Sequence, residues 1–88
     1  MEKVISKIVG YILEKKYPEF TAVNVTNGWD YVYNKLTYNI FLSINYSDFE
    51  PIRDSGNWNK LRYEIYNIVR MAGIDNYVNI YLKFKDEE

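Results

Sequence analysis

The chain has 88 residues, 11 Lys and Arg against 12 Asp and Glu, no Cys and no His. The size fits one domain over residues 1–88, which buries about 60 to 65% of the surface of the unfolded chain. A net charge of −1 with mixed signs gives no global basic field for nucleic acid or anionic lipid. The missing Cys and His exclude disulfides, thiolate metal sites, Cys-His and Ser-His catalysis and the usual general base near neutral pH.

In chain order, Val4, Ile5, Ile8, Val9, Ile12 and Leu13 recur at helical spacing and predict an amphipathic helix over Glu2–Lys16. Glu2 suits the positive end of its dipole and Lys15 with Lys16 the negative end, while Pro18 disfavours helix at Tyr17. Lys3 and Lys7 precede an apolar segment that Glu2, Lys7 and Glu14 to Lys16 break up at helical spacing, so it reads as a core helix and not as a signal peptide. No apolar run approaches the roughly 20 residues that cross a bilayer, and the expected location is the cytoplasm.

Val23 to Tyr46 reads as a β-hairpin. With Asn34 and Lys35 at the turn, or a longer four-residue loop in the same register because Lys35 suits a tight turn less well than Gly, Trp29 faces Ile40, Asn27 faces Leu42, Val25 faces Ile44 and Val23 faces Tyr46 on an apolar side. The other side places Gly28 opposite Phe41, Thr26 opposite Ser43 and Asn24 opposite Asn45. Ser47 to Asn57, with Pro51 and Gly56, reads as irregular. A second helix is expected over Trp58–Ala72, with Leu61, Ile65, Ile68 and Val69 on its apolar stripe and Asn57 or, second to it, Ser55 as N-cap. Gly73 is the candidate left-handed residue that ends it and lets Ile74 fold back onto Val69. Tyr77 to Lys85 alternates strictly and predicts a third strand, with Val78, Ile80, Leu82 and Phe84 inward. Asp86 to Glu88 reads as a solvated acidic end.

The expected fold is therefore α+β, a two-layer sandwich in the order α-β-β-α-β. A three-stranded, mainly antiparallel sheet carries two helices on one face, with strand order two, one, three preferred over a parallel third strand beside the second. Trp29 and Trp58 are both expected in the core, near one another.

The other face of the sheet is left open, and its candidate binding residues are Asn39, Phe41, Ser43, Asn79, Tyr81, Lys83 and Lys85. Short polar side chains with two aromatics fit either a solvated face or a partner surface. Asp48, Glu50 and Asp54 lack the spacing of a calcium loop and have Arg53 among them, so no metal site is expected. Ser55, Gly56 and Asn57 before a helix offer a weak phosphate-binding signal that capping explains equally.

The order helix, hairpin, helix, strand resembles the type II KH RNA-binding fold. That resemblance implies a GxxG loop between two helices after the second strand, where this chain has only the isolated Gly56 and Gly73. No binding residue is carried over from it.

The function that these features favour is a non-enzymatic protein-binding or accessory module, of the inhibitory kind that a phage or another mobile element carries, with no cofactor. Its partner would be another protein or a second copy, through the open face or an exposed strand edge. The alternative is single-stranded nucleic-acid binding, with Phe41 and Tyr81 stacking bases and Lys83 and Lys85 meeting phosphates. Two lysines are few for that role, and no membrane partner is expected.

Overall fold

The computed structural model describes residues 1–74 and 77–87. The elements are α1 (Glu2–Lys16), β1 (Ala22–Asp30), β2 (Lys35–Ile44), α2 (Tyr46–Asp54), α3 (Asn57–Met71) and β3 (Tyr77–Phe84), followed by a short 3-10 turn over Lys85–Glu87. The fold is α+β, with a three-stranded mixed sheet and three helices. The three helices bury Ile5, Val9, Ile12, Phe49, Ile52, Leu61, Ile65 and Val69 in the same cluster as Tyr38, Ile40, Leu42 and Ile44 from one face of β2. Val23, Val25, Val78, Ile80, Leu82 and Phe84 close the cluster from the flanking strands, half-buried.

α1 has the expected bounds, and the N–H of Tyr17 donates to the Leu13 carbonyl at 2.8 Å just before Pro18 stops the helix. The hairpin keeps its expected faces but not its pairing. Val23 lies opposite Leu42, Val25 opposite Ile40 and Trp29 opposite Leu36, so each β1 residue meets β2 four positions earlier than expected. An even shift leaves inner and outer sets intact, and this register stacks aliphatic on aliphatic where the expected one set Asn27 against Leu42. The loop is Tyr31 to Asn34. Asp30 Oδ1 accepts from the N–H groups of Val32 at 2.9 Å and Tyr33 at 3.2 Å, and Asn34 takes a left-handed φ of 54°. Gly28 therefore faces Thr37, and Phe41 faces Asn24.

The segment read as irregular holds α2. Phe49 and Ile52, three apart, drive it into the core, with Asp48 in its first turn and Arg53 in its last. Pro51 removes only the donor that would meet the Ser47 carbonyl, and Ser47 is exposed to water. The two oxygens of Asp86, after β3, accept from the Tyr46 N–H at 3.0 and 3.2 Å and cap α2 from across the chain. The acidic end is therefore partly structural, and Glu88 lies outside the described residues.

α3 begins one residue early. Gly56, with φ of 81°, is its N-cap in place of Asn57, and the Asn57 N–H reaches Ser55 Oγ at 3.4 Å. Its end matches expectation: at Gly73, φ 85°, the Gly73 N–H donates to Arg70 at 3.0 Å and the Ile74 N–H to Val69 at 3.3 Å.

Strand order is β1-β2-β3, with β1 and β2 antiparallel and β2 and β3 parallel. This corrects both the mainly antiparallel sheet and the order two, one, three. β2 and not β1 takes the centre because its inner face is the more apolar of the two: Tyr38, Ile40, Leu42 and Ile44 are all buried, whereas β1 offers Val23, Val25 and then Asn27. The α2-α3 pair then supplies the long crossover that a parallel β3 requires.

Candidate protein interface

The register of the three strands builds the outer face as rows. Asn24, Phe41 and Tyr81 form one row, Thr26, Asn39 and Asn79 the next, and Gly28, Thr37 and Tyr77 the third. Phe41 and Tyr81 stack with ring centroids 5.3 Å apart and an interplanar angle of 22°. The Asn79 Nδ2 donates to Asn39 Oδ1 at 3.2 Å, so each amide keeps polar atoms for a further bond. Ser43 and Lys83 are neighbours in the last row. Six of the seven expected residues thus share this face. Lys85 does not, because β3 ends at Phe84 and Lys85 begins the 3-10 turn.

Thr37 is only 5% exposed although it lies on the outer side of the central strand. Gly28 beside it has no side chain: a Cβ there would come within 3.3 Å of Thr37 Oγ1 and of Asn39 Nδ2. The glycine lets two polar side chains lie close over the β1 backbone. Gly28, Tyr31, Val32, Asn39, Asn79 and Tyr81 surround a shallow depression here of about 460 Å³.

The larger signal lies at the hairpin's end and was missed in the sequence. Tyr31, Val32 and Tyr33 are 87%, 85% and 61% exposed, and Trp29 is 48% exposed. Leu36 and Tyr77 are exposed beside them. Tyr33 and Tyr77 rings lie 5.3 Å apart and Lys35 Nζ sits 5.4 Å from the Tyr77 centroid, so the aromatic cluster is organised against the sheet. Trp29 is on the inner side of β1 by alternation, but the core ends before it. Trp58 packs elsewhere, 6.3 Å from Phe20 and 5.5 Å from Phe49 by ring centroids, so the expected pairing of the two Trp does not occur. A run of Trp, Tyr, Val and Tyr across a turn with no Gly was the available clue: a turn chosen only for its geometry needs none of them.

At the joint between α2 and α3, Arg53 Nε lies 3.2 Å from Asp54 Oδ1, and its guanidinium donates to the Tyr46 hydroxyl at 3.2 Å. Both contacts hold Arg53 in its charged form, the Tyr46 bond most strongly. The structure thus contains the helix pair that the KH resemblance implies, but the joint carries one glycine and a self-paired acid and base. No group of three or more Asp and Glu among the described residues is placed to hold a metal ion, and no described helix is long and apolar enough to cross a membrane. Against known proteins, the chain matches no family model, no curated protein and no solved structure.

Proposed function

We propose that the protein is a non-enzymatic protein-binding module of two-layer architecture, acting in the cytoplasm, whose contact surface is the hairpin end together with the adjoining outer sheet face. The observation that carries this reading is the exposed cluster of Trp29, Tyr31, Val32, Tyr33, Leu36 and Tyr77. Large apolar groups gathered at one projecting end, with aromatic anchors and a polar surround of Asn39, Asn79 and Thr26, have the composition of an interface centre and rim. Burying such aromatics yields far more than burying scattered surface side chains, at little cost in rotamer freedom.

The test is a pull-down from host lysate with the wild-type chain and with Tyr31→Ser/Val32→Ser, alongside sedimentation of both at several concentrations. A protein captured by the wild type alone, or self-association present in the wild type alone, supports the reading and tells a foreign partner from a second copy. Equal behaviour of the two equally folded chains overturns it.

Single-stranded nucleic-acid binding is the second reading, favoured by the Phe41–Tyr81 stack beside Lys83 and by the α2-α3 pair that the KH resemblance implies. Asp54 at the helix joint opposes a phosphate there. Polarisation of a labelled oligo-U probe that rises with protein and falls on Tyr81→Ser would favour this reading over the first.

A further inference from the structure

The depression over Gly28 holds polar groups that the fold itself does not use. Its floor is sheet: Gly28 faces Thr37, and Asn39 lies between Thr26 and Asn79 in the next row. Tyr31, Val32 and Tyr81 also line it. Thr37 is 5% exposed, yet its hydroxyl has no hydrogen-bond partner among the described residues. No buried side-chain oxygen or nitrogen there lacks a partner, so the small exposed part of Thr37 includes this oxygen.

Gly28 keeps that oxygen open. Its φ is not left-handed, and a glycine within a strand weakens the strand, so backbone geometry does not account for it. A Cβ on Gly28 would come within 3.3 Å of both Thr37 Oγ1 and Asn39 Nδ2, so the two polar atoms converge on the space that the missing side chain leaves. Asn39 is held in one orientation: its Oδ1 accepts from Asn79 Nδ2 at 3.2 Å, and its own Nδ2 lies on the Gly28 side. Asn79 Oδ1 is left to accept from elsewhere. Asp30 spends Oδ1 on two N–H groups of the hairpin loop and keeps Oδ2.

We propose that this depression binds one neutral hexose residue of a saccharide. A pyranose carries neighbouring hydroxyls that each donate and accept, which suits a floor where Thr37 Oγ1, Asn39 Nδ2, Asn79 Oδ1 and Asp30 Oδ2 lie together. Its C–H face packs on an aromatic ring, and Tyr31 and Tyr81 present rings that are 87% and 47% exposed. Tyr81 is braced by its stack on Phe41, which makes it a fixed platform. The lining has one acid and no base, so a phosphate or carboxylate finds no counter-charge, which opposes a nucleotide strand. A peptide would meet this floor with one side chain and leave its other polar groups dry and unmet. The site adjoins the hairpin-end contact surface but does not rest on it.

The probes are the methyl glycosides of glucose, galactose and mannose, with uridine and inorganic phosphate as comparisons, read by amide-resolved NMR of the whole chain. At least one glycoside should give saturable shifts of the Gly28 backbone amide and the Asn39 and Asn79 side-chain amides, with a dissociation constant on the order of millimolar. Thr37→Val keeps the shape and removes the hydroxyl, and should weaken this binding by about tenfold or more. Thr37→Ser should retain it, and Gly28→Ala should abolish it by filling the space. Melting temperatures taken alongside show which variants are folded, and the Thr37 pair decides the matter if Gly28→Ala does not fold. Absence of saturable shifts with every glycoside, binding unaffected by Thr37→Val, or tighter binding of uridine or phosphate at the same resonances overturns the proposal. Lysate capture that persists while saccharide binding fails removes this inference alone and leaves the hairpin-end surface standing.

Discussion

Gly73 holds a φ of 85°, with nothing within 4 Å of the place a Cβ would occupy. A substitution there meets no clash, so its cost is torsional alone. Gly73→Val should lower stability by about 1 to 2 kcal/mol, read as a fall in melting temperature, and Gly73→Asn by less. This residue was legible because a Gly at the end of an apolar stripe, followed by an aliphatic residue, leaves few alternatives. Trp29 was not. Alternation fixes which side of a strand a residue takes, but not how far along that side the helices reach, and Trp29 lies on the inner side beyond their cover.

At the scale of elements, inner and outer faces were readable and pairing was not, since moving one strand by four residues preserves every face. Leu42→Asp should unfold the protein, because Leu42 is fully buried on the central strand and a lone buried carboxylate costs several kcal/mol. Ser43→Asp should melt near the wild-type temperature, since it places its charge on the outer face beside Lys83. Comparable melting of these two variants would mean the faces are reversed. α2 was hidden by Pro51 and its acids, although Phe49 and Ile52 at helical spacing were present to be read. Its cap was unreadable, because Asp86 is 40 residues from Tyr46. Asp86→Ala should cost about 1 kcal/mol and speed hydrogen exchange at the Tyr46 amide, with Asp86→Asn intermediate. The α1–α3 contact includes Lys16 with Glu64, whose hydrogen bond, then its charge, raises the lysine's pKa above its ordinary value of 10.5. Such a contribution is present below that ordinary value and is lost as pH rises through the raised one. Lys16→Met should accordingly lower the melting temperature slightly at neutral pH, and the difference should shrink in high salt because both side chains meet water.

Over the whole molecule, strand order was not legible: either arrangement buries the same inner faces, and the choice turns on β2 having a more apolar inner face than β1. The same core, ending short of the hairpin tip, divides the chain into residues that hold the fold and residues that do not. Tyr31→Ser/Val32→Ser should therefore leave the melting temperature unchanged within about 0.5 kcal/mol while altering partner capture. A marked loss of stability would mean that the hairpin end is structural. The cap on α2 also imposes an order on folding. During synthesis, α1, β1 and β2 emerge first and can form their local hairpin, but α2 has an unmet amide at its start until Asp86 has left the ribosome. β3, in turn, reaches β2 only through the full crossover, so its pairing closes a long loop and comes late. Closing that loop delivers Asp86 to Tyr46, so the step that completes the sheet also secures the second helix. A chain halted before Asp86 should hold its hairpin and leave α2 frayed, making the turn that follows β3 the latch of folding.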